Sequence, residues 1–399
     1  MSPSKAYISA GALLVATAVM AASTYAFSPT LPSFVRQRHP LSVAAKSGED
    51  DVEGDTEQDR RSTSPEKMPG YPQDDQTRAR EAESVPGEND FCPETVYFDK
   101  PIVVKNFYGD DVTGMVRQIP AAFDEFKQLE SSFFGQRYIN MRHAVYVLAS
   151  TKLEGILSEG ASEGETFNFL RQLVEPLGDD SVHLIPPEDD KKNASWEEDG
   201  RNNSREAWFA QCRCHLRALI MMMNWAKADE PLTTEKLLAC HNELMKGALT
   251  KDGARFQSRF RHFNEPVHAD LYSFPDSIDH EEEMGKILAK MNSVFGTVHP
   301  VQWSCDLLHE VLKAHPFLNG NGRIARLCYA YGLARHGVEC PIVFSDWHSK
   351  ARGHYIGAVK AADGQRGQAK KDGLYTMGTV ALYNGLQDMI RYCKMSRKD

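Results

Sequence analysis

An excess of basic charge is the first thing missing from this 399-residue chain: 46 lysines and arginines stand against 55 aspartates and glutamates, for a net charge of −9. A general nucleic-acid surface needs the opposite balance, so that class is set aside and only local basic pockets remain. Paired cysteines are missing too. The eight cysteines include no CxxC pair, and Cys212 and Cys214 sit as CRC in a helical stretch, where alternate residues do not share a face. Buried free thiols fit that spacing better than zinc. No internal repeat is present, which sets aside a repeat array. Long apolar runs are confined to one place, Ala6 to Phe27, which reads AYISAGALLVATAVMAASTYAF.

That run follows Lys5 and carries no charge. It has a basic n-region, an apolar h-region and, at Thr24-Tyr25-Ala26, residues suited to a cleavage site, with the cut after Ala26. It is also just long enough to cross a bilayer. Residues 1–26 are therefore expected to be a signal peptide or a membrane anchor, with residues 6–26 as the tether. Either one gives entry to the secretory pathway, to the ER lumen or as a single-pass membrane protein. From Phe27 to Ser47 there are Arg36, Arg38 and Lys46 but no acid, a transit-peptide composition. The aromatic after the cut, in YAFSP, resembles the bipartite presequences of algae with secondary plastids, so a complex plastid is the alternative destination. Glu49 to Asp90 is acidic, rich in Pro, Ser and Gly and without apolar periodicity; it cannot bury enough surface to fold. Residues 27–91 are read as a transit-like, disordered linker.

The remainder reads as helix. Hydrophobic residues at 41% and aromatics at 10% supply a core. Three- and four-residue apolar spacing predicts helices over Arg137–Ser158, Arg205–Ala228, Ile278–Phe295, Trp303–Ala314 and Leu374–Tyr392. Pro231–Met245 has Thr233 as N-cap and Glu235 in its first turn. Pro186 to Glu206, PPEDDKKNASWEEDGRNNSRE, reads as a surface loop and carries glycosylation-type triplets at Asn193 and Asn202. Phe263 to Phe274, FNEPVHADLYSF, has the extended, proline-broken pattern of a short β-hairpin or flap. The expected fold class is all-α, a helical bundle with one small hairpin. Residues 92–204 form a helical N-terminal region, 205–385 the core domain and 386–399 the end of the last helix.

Between two of the helices lies HPFLNGNGRIAR, His315 to Arg326. Gly320-Asn321-Gly322 permits positive φ and leaves backbone amides unobstructed, so these amides can form an anion nest. A helix starting near Arg323 adds its N-terminal dipole to the same spot, and Gly337 is placed to end that helix. Arg323 and Arg326 are three apart, hence on one face, and guanidinium forks suit phosphate oxygens. His315 stands at the rim, where a neutral imidazole can take a proton from an attacking hydroxyl. A base beside a polyphosphate cradle points to phosphoryl or nucleotidyl transfer.

This stretch resembles the signature of the Fic family, HxFx(D/E)GNGRxxR, at every position but one. The resemblance extends to the flap upstream and to HYIGAVKAADG, His354 to Gly364, downstream. It implies an all-α Fic-type bundle with a hairpin flap, and transfer of AMP from ATP to a Ser, Thr or Tyr hydroxyl of a target protein. Carried over by position, His315 is the general base. Gly320, Asn321 and Gly322 hold phosphates through their amides, Arg323 positions the α- and β-phosphates, and Arg326 the γ-phosphate. Phe317 anchors the loop in the core. Tyr355 and Asp363 approach the nucleoside. Pro266, Val267, His268 and Ala269 of the flap dock the target by strand addition.

The departure is Asn319, where the family has the Asp or Glu that binds Mg²⁺. Magnesium prefers charged oxygen ligands, so metal use is expected to be weakened or altered. Upstream, STKLEG supplies Ser150, Glu154 and Gly155 of the family's inhibitory pattern (S/T)xxxE(G/N). The resemblance implies that Glu154 pairs with Arg326 and keeps the γ-phosphate out. In some family members the same glutamate supports removal of AMP. An inhibitory helix exposed in this way is open to control by a homodimer. Two other readings stay beside the transferase: a non-catalytic nucleotide-binding or sensing protein, motivated by Asn319, and Fic transfer of another nucleotide or of a phosphate.

Overall fold

A computed structural model describes residues 96–105, 111–154, 161–174, 196–197, 204–262, 264–265, 267–269, 272–274, 279–344, 351–364 and 370–396. The presequence, the linker, Asn193 and Asn202 of the glycosylation triplets, Gly155 and Pro266 lie outside them. Among the described residues no helix is long and apolar enough to cross a membrane.

The architecture is all-α, as the apolar spacing predicts. The helices run α1 Val112–Glu130, α2 Phe133–Leu153, α3 Glu163–Val174, α4 Arg205–Lys227, α5 Thr234–Leu244, α6 His280–Ser293, α7 Pro300–Ala314, α8 Asn321–Arg335, α9 Ala351–Ala362 and α10 Asp372–Ser396. Their starts are written in the sequence. Ser204 Oγ accepts from Ala207 N and opens α4, and Thr233 opens α5 by accepting from Lys236 N. Asp279 opens α6 ahead of Glu281, Glu282 and Glu283, which favour the positive end of the helix dipole. Gly337, at φ 91°, follows the end of α8 as expected.

Helix α8 is the centre of the fold. Every residue from Arg323 to Ala334 is buried, the mark of a helix surrounded on all sides. Helices α7, α4, α5 and α2 pack around it, while α1 and α10 pair at one flank. The site loop leads straight into this helix, so the densest part of the core holds it still.

Two expectations need correction. The helix expected over Arg137–Ser158 begins earlier, at Phe133, where Ser132 caps it, and stops at Leu153 with Glu154 as its C-cap. Its end is held from outside, because Arg352 Nε donates to the Leu153 carbonyl at 2.9 Å, one of the carbonyls a helix end leaves open. The stretch Pro186–Glu206 is not all loop. Trp196–Glu197 forms β1, parallel to β2 at Ala248–Leu249, and Arg205 already belongs to α4; backbone pairing there satisfies groups that an unpaired loop leaves open. Helix α10 runs unbroken from Asp372 to Ser396, so residues 386–396 are the end of the last helix.

Candidate functional site

The flap is an antiparallel hairpin. Strand β3, His268–Ala269, pairs with β4, Tyr272–Ser273, with His268 opposite Ser273, and Phe274 N closes it on the Val267 carbonyl. Its base is stapled by Arg259, whose two terminal nitrogens meet the two Glu265 oxygens at 2.8 and 2.6 Å. That bond holds the Glu265 carboxyl down at about 2. The flap therefore stands on a rigid root, with Val267 half-buried beside it.

The loop from His315 to Gly320 is pinned from several directions. His315 is the C-cap of α7 in the left-handed region, φ 46° and ψ 57°, a conformation that costs about 1–2 kcal/mol for a residue with a Cβ. It persists because both its backbone groups are taken: its N–H donates to Val311 O at 3.0 Å, and its carbonyl accepts from Arg261 Nε at 2.7 Å. Arg261 N also reaches Pro316 O. Phe317 is fully buried and lies flat on the His241 ring, centroids 3.8 Å apart. Asn321 turns its amide back onto Phe317, donating to its carbonyl at 2.7 Å and accepting from its N–H at 3.0 Å. The Asn321 side chain is therefore a loop staple, which leaves only its backbone for the cradle expected of it.

Gly320 is the N-cap of α8 at φ 78°, with no side-chain cap. Any Cβ there would be strained and would press on Met245 Sδ and His241 Nε2. Its amide is not open to a ligand, since it donates to Asn319 Oδ1 at 2.6 Å. The expected three-amide nest is thus reduced at Gly320 while Asn319 keeps this rotamer. Gly322 explains itself by what it faces: a Cβ would collide with Glu154 Oε1 and approach Arg326 Nη1 at 3.3 Å.

Glu154 therefore sits on the first turn of α8, where an anion belongs. Arg326 Nη2 meets Glu154 Oε1 at 2.5 Å, and Arg326 also donates to Ser150 Oγ and Ser150 O, both at 2.9 Å. Burial pushes the Glu154 carboxyl up, but Arg326 and Arg323 outweigh it and hold the group below its usual range. Ser150, Glu154 and Arg326 thus come together across 172 or more positions of sequence. Arg323 and Arg326 are both 2% exposed. Tyr355 joins them, its ring 5.9 Å from the Arg326 guanidinium carbon. Asp363 does not reach this group: its carboxylate is bound to His309 Nε2 at 2.9 Å, which ties the end of α9 to α7.

His315 ends α7 beside the flap. Burial, then the nearby Arg261, lowers its imidazole to about 4, so it is neutral at pH 7 and able to accept a proton. Phe274 of the flap stacks on it at 3.6 Å and 18°. The roles of Phe274, Arg261, His241 and Arg352 were not legible in the sequence. Each acts across a contact that no local spacing announces.

Buried neutral histidines give the whole fold an acid weakness. His215, His241, His299, His315 and His336 are all lowered chiefly by burial, His241 to about 3 and His299, His315 and His336 to about 4. Above about pH 6.5 they are neutral folded or unfolded and add no slope. Below it the unfolded chain takes up protons that the fold refuses, so stability falls as pH drops toward 4. Each such histidine costs about 1.4 kcal/mol for every tenfold by which burial weakens its hold on a proton. His309 works the other way, because Asp363 and Glu310 outweigh the effect of burial and raise it, but it is one against six, since burial also lowers His143. Urea midpoints should fall steadily from pH 7 to pH 5. A flat profile over that range would contradict the burial of these rings.

The comparisons with known proteins come in two kinds. Residues 231–333 match the model of the Fic/DOC family, whereas no curated protein sequence matches the chain. Among solved structures, a Fic domain-containing signalling protein from Bacteroides thetaiotaomicron is 19% identical with TM-score 0.50, over 70% of this chain and 98% of that one. Fic-1 from C. elegans is 16% identical with TM-score 0.47, over 70% and 71%. A Fic family protein from Desulfovibrio desulfuricans is 15% identical with TM-score 0.47, over 74% and 78%. The matched segment runs from the start of α5 almost to the end of α8, the stretch that builds the flap, the loop and both arginines. Residues 231–333 thus form a domain that matches the Fic/DOC family, within an all-α fold of the Fic type.

Proposed function

We propose that this protein is an autoinhibited protein adenylyltransferase, moving AMP from ATP to a Ser, Thr or Tyr hydroxyl of a target protein. The observation that carries the reading is the placement of Glu154 on the first turn of α8, against Arg326. A carboxylate there stands where a terminal phosphate would be met by helix amides and a guanidinium, and it repels that phosphate. With Glu154 withdrawn, Arg326 takes the γ-phosphate and Arg323 the phosphates nearer the nucleoside. His315 removes the proton of the target hydroxyl as that oxygen attacks the α-phosphorus; pyrophosphate leaves. The anionic phosphates raise the imidazole from its buried value toward the working pH, which improves it as a base. The flap aligns the target as an added strand.

Magnesium fits this loop only in part. Asn319 offers a neutral oxygen that is bonded to Gly320 N, and no group of three or more metal-binding side chains is found among the described residues. A divalent ion would supply charge neutralisation on the phosphates; on the protein side that work falls to Arg323, Arg326 and the helix terminus. Asn319→Asp should lower the Mg²⁺ concentration needed for half-maximal transfer at least about tenfold, the effect of 1.4 kcal/mol. An unchanged Mg²⁺ dependence would remove position 319 from metal use. The same Asn319–Gly320 bond favours the second reading, a nucleotide sensor without turnover. Glu154 in its present place also suits orientation of a water for removal of AMP.

The test is to incubate the chain bearing Glu154→Gly with ATP and Mg²⁺ and identify the attached group by mass spectrometry. Adenylyl on a hydroxyl residue supports the reading. Phosphoryl or a different nucleotidyl group replaces it with another Fic chemistry, and ATP binding without modification replaces it with the sensor. We further propose that residues 1–26 deliver this activity to the secretory route, with the complex plastid as the alternative, and that a homodimer acts on α2.

A further inference from the structure

On the far side of the inhibitory helix lies a cavity of about 250 Å³, lined by Leu148, Thr151, Lys152, Ala161, Thr166 and Trp208, among others. On α2, Ser150 and Glu154 face the arginine. Leu148 and Lys152 are each two residues from one of them, so at 100° per residue they point about 200° away. The cavity thus backs the same turn that carries the inhibitory carboxylate. Its other walls come from the start of α3 and from α4.

The chemistry of the lining limits what fits. Inside, Leu148, Ala161 and Trp208 are apolar, and the two buried hydroxyls are spent. Thr151 Oγ donates to the Val147 and Leu148 carbonyls at 2.9 Å. Thr166 Oγ donates to Ser162 O at 3.0 Å and accepts from Trp208 Nε1 at 2.8 Å. An occupant's body must therefore be apolar. At the mouth stands a cation, Lys152 Nζ, paired with Glu163 Oε1 at 2.5 Å. These side chains are 33% and 50% exposed, so the pair is worth little in water, and a ligand carboxylate can take the place of Glu163. An apolar cavity of about 150 Å³ already holds a benzene ring; this one has room for a ring, or a short alkyl chain, and an acidic head.

We infer that this cavity binds a small monocarboxylate with an apolar body, and that its occupant reinforces the inhibited state. The walls belong to α2 on one side and to α3 and α4 on the other, so the cavity is complete only while α2 is docked. A ligand that contacts both sides favours the docked state over the released one, and only such differential binding shifts an equilibrium. With α2 held, Glu154 stays on Arg326. The regulatory half of this inference rests on the autoinhibition proposed above.

Phenylacetate and hexanoate are the probes, titrated into the full chain by ligand-observed NMR. Saturable binding is expected, weakened at least fivefold by Lys152→Gln and abolished by Ala161→Trp, which fills the cavity from a half-exposed position. Phenylacetamide should bind as poorly as phenylacetate does to Lys152→Gln. No saturable binding, or equal binding by the parent chain and both variants, would sink the site. For the coupling, phenylacetate should bind Glu154→Gly two- to fivefold more weakly than the parent chain, because linkage is reciprocal. Equal affinity would leave a site without regulation and overturn that half. These readouts need no turnover, so failure of the transferase reading shows separately, as absence of adenylyl transfer from every variant.

Discussion

Replacing Glu154 with glycine raises transfer of label from ATP marked on the α-phosphate by about 5- to 150-fold, the range spanned by coupling energies of about 1–3 kcal/mol. The physical reason is local. Glu154 Oε1 touches Arg326 and fills the space above Gly322, so the γ-phosphate of a productively bound nucleotide has no cationic partner and meets a like charge. Removing the carboxylate frees Arg326 without touching its other anchors, since Ser150 still accepts from Nε and Nη2. The arginine therefore keeps its rotamer when the glutamate leaves. Glu154→Gln separates charge from bulk: if steric exclusion alone blocks the site, the glutamine variant stays silent, and if repulsion dominates, it recovers part of the gain. A glycine variant that binds ATP but transfers no more than the parent chain would defeat autoinhibition by Glu154.

The second large effect is at the base. In the Glu154→Gly background, His315→Ala should cut transfer by about 10²- to 10⁴-fold, the usual worth of a positioned general base, while ATP affinity stays within a few-fold. The expected split between rate and affinity follows from geometry. His315 lies at the C-cap of α7, and its contacts are to Arg261 and Phe274, whereas Arg323 and Arg326 are held by α8 and α2. An alanine leaves the backbone bonds to Val311 and Arg261 available, so the loop is expected to keep its shape. Transfer retained at the parent rate would take the base role away from His315. Loss of ATP binding together with transfer would mean that the imidazole organises the loop rather than the reaction.

Much of this site was legible because its chemistry is local. HPFLNGNGRIAR places a base, a helix start and two arginines within twelve residues, and their relative positions follow from the helical period alone. The flap was readable for the same reason: an extended, proline-broken stretch among helices has few other uses. Glu154 was readable only through the resemblance of STKLEG to an inhibitory pattern, because nothing in its own neighbourhood distinguishes it from a solvent-facing helix charge. Asp363 shows the opposite case. It was read as a nucleoside contact from its place in HYIGAVKAADG, whereas its bond to His309, 54 positions away, follows from no spacing rule.

By itself the sequence determined the helical class, the Thr233-capped start of α5 and the Gly337 stop after α8, the flap, and the set of groups at the cradle. Those follow from periodicity, caps and motif spacing, interactions that reach only a few residues along the chain. Tertiary structure decided what state the site is in. It put Glu154 on Arg326, turned the Asn319 amide onto Gly320, laid Phe274 over His315 and latched Leu153 with Arg352. Each of these joins elements far apart in sequence, or selects one rotamer among several, and such choices are made by packing around α8 rather than by any local rule.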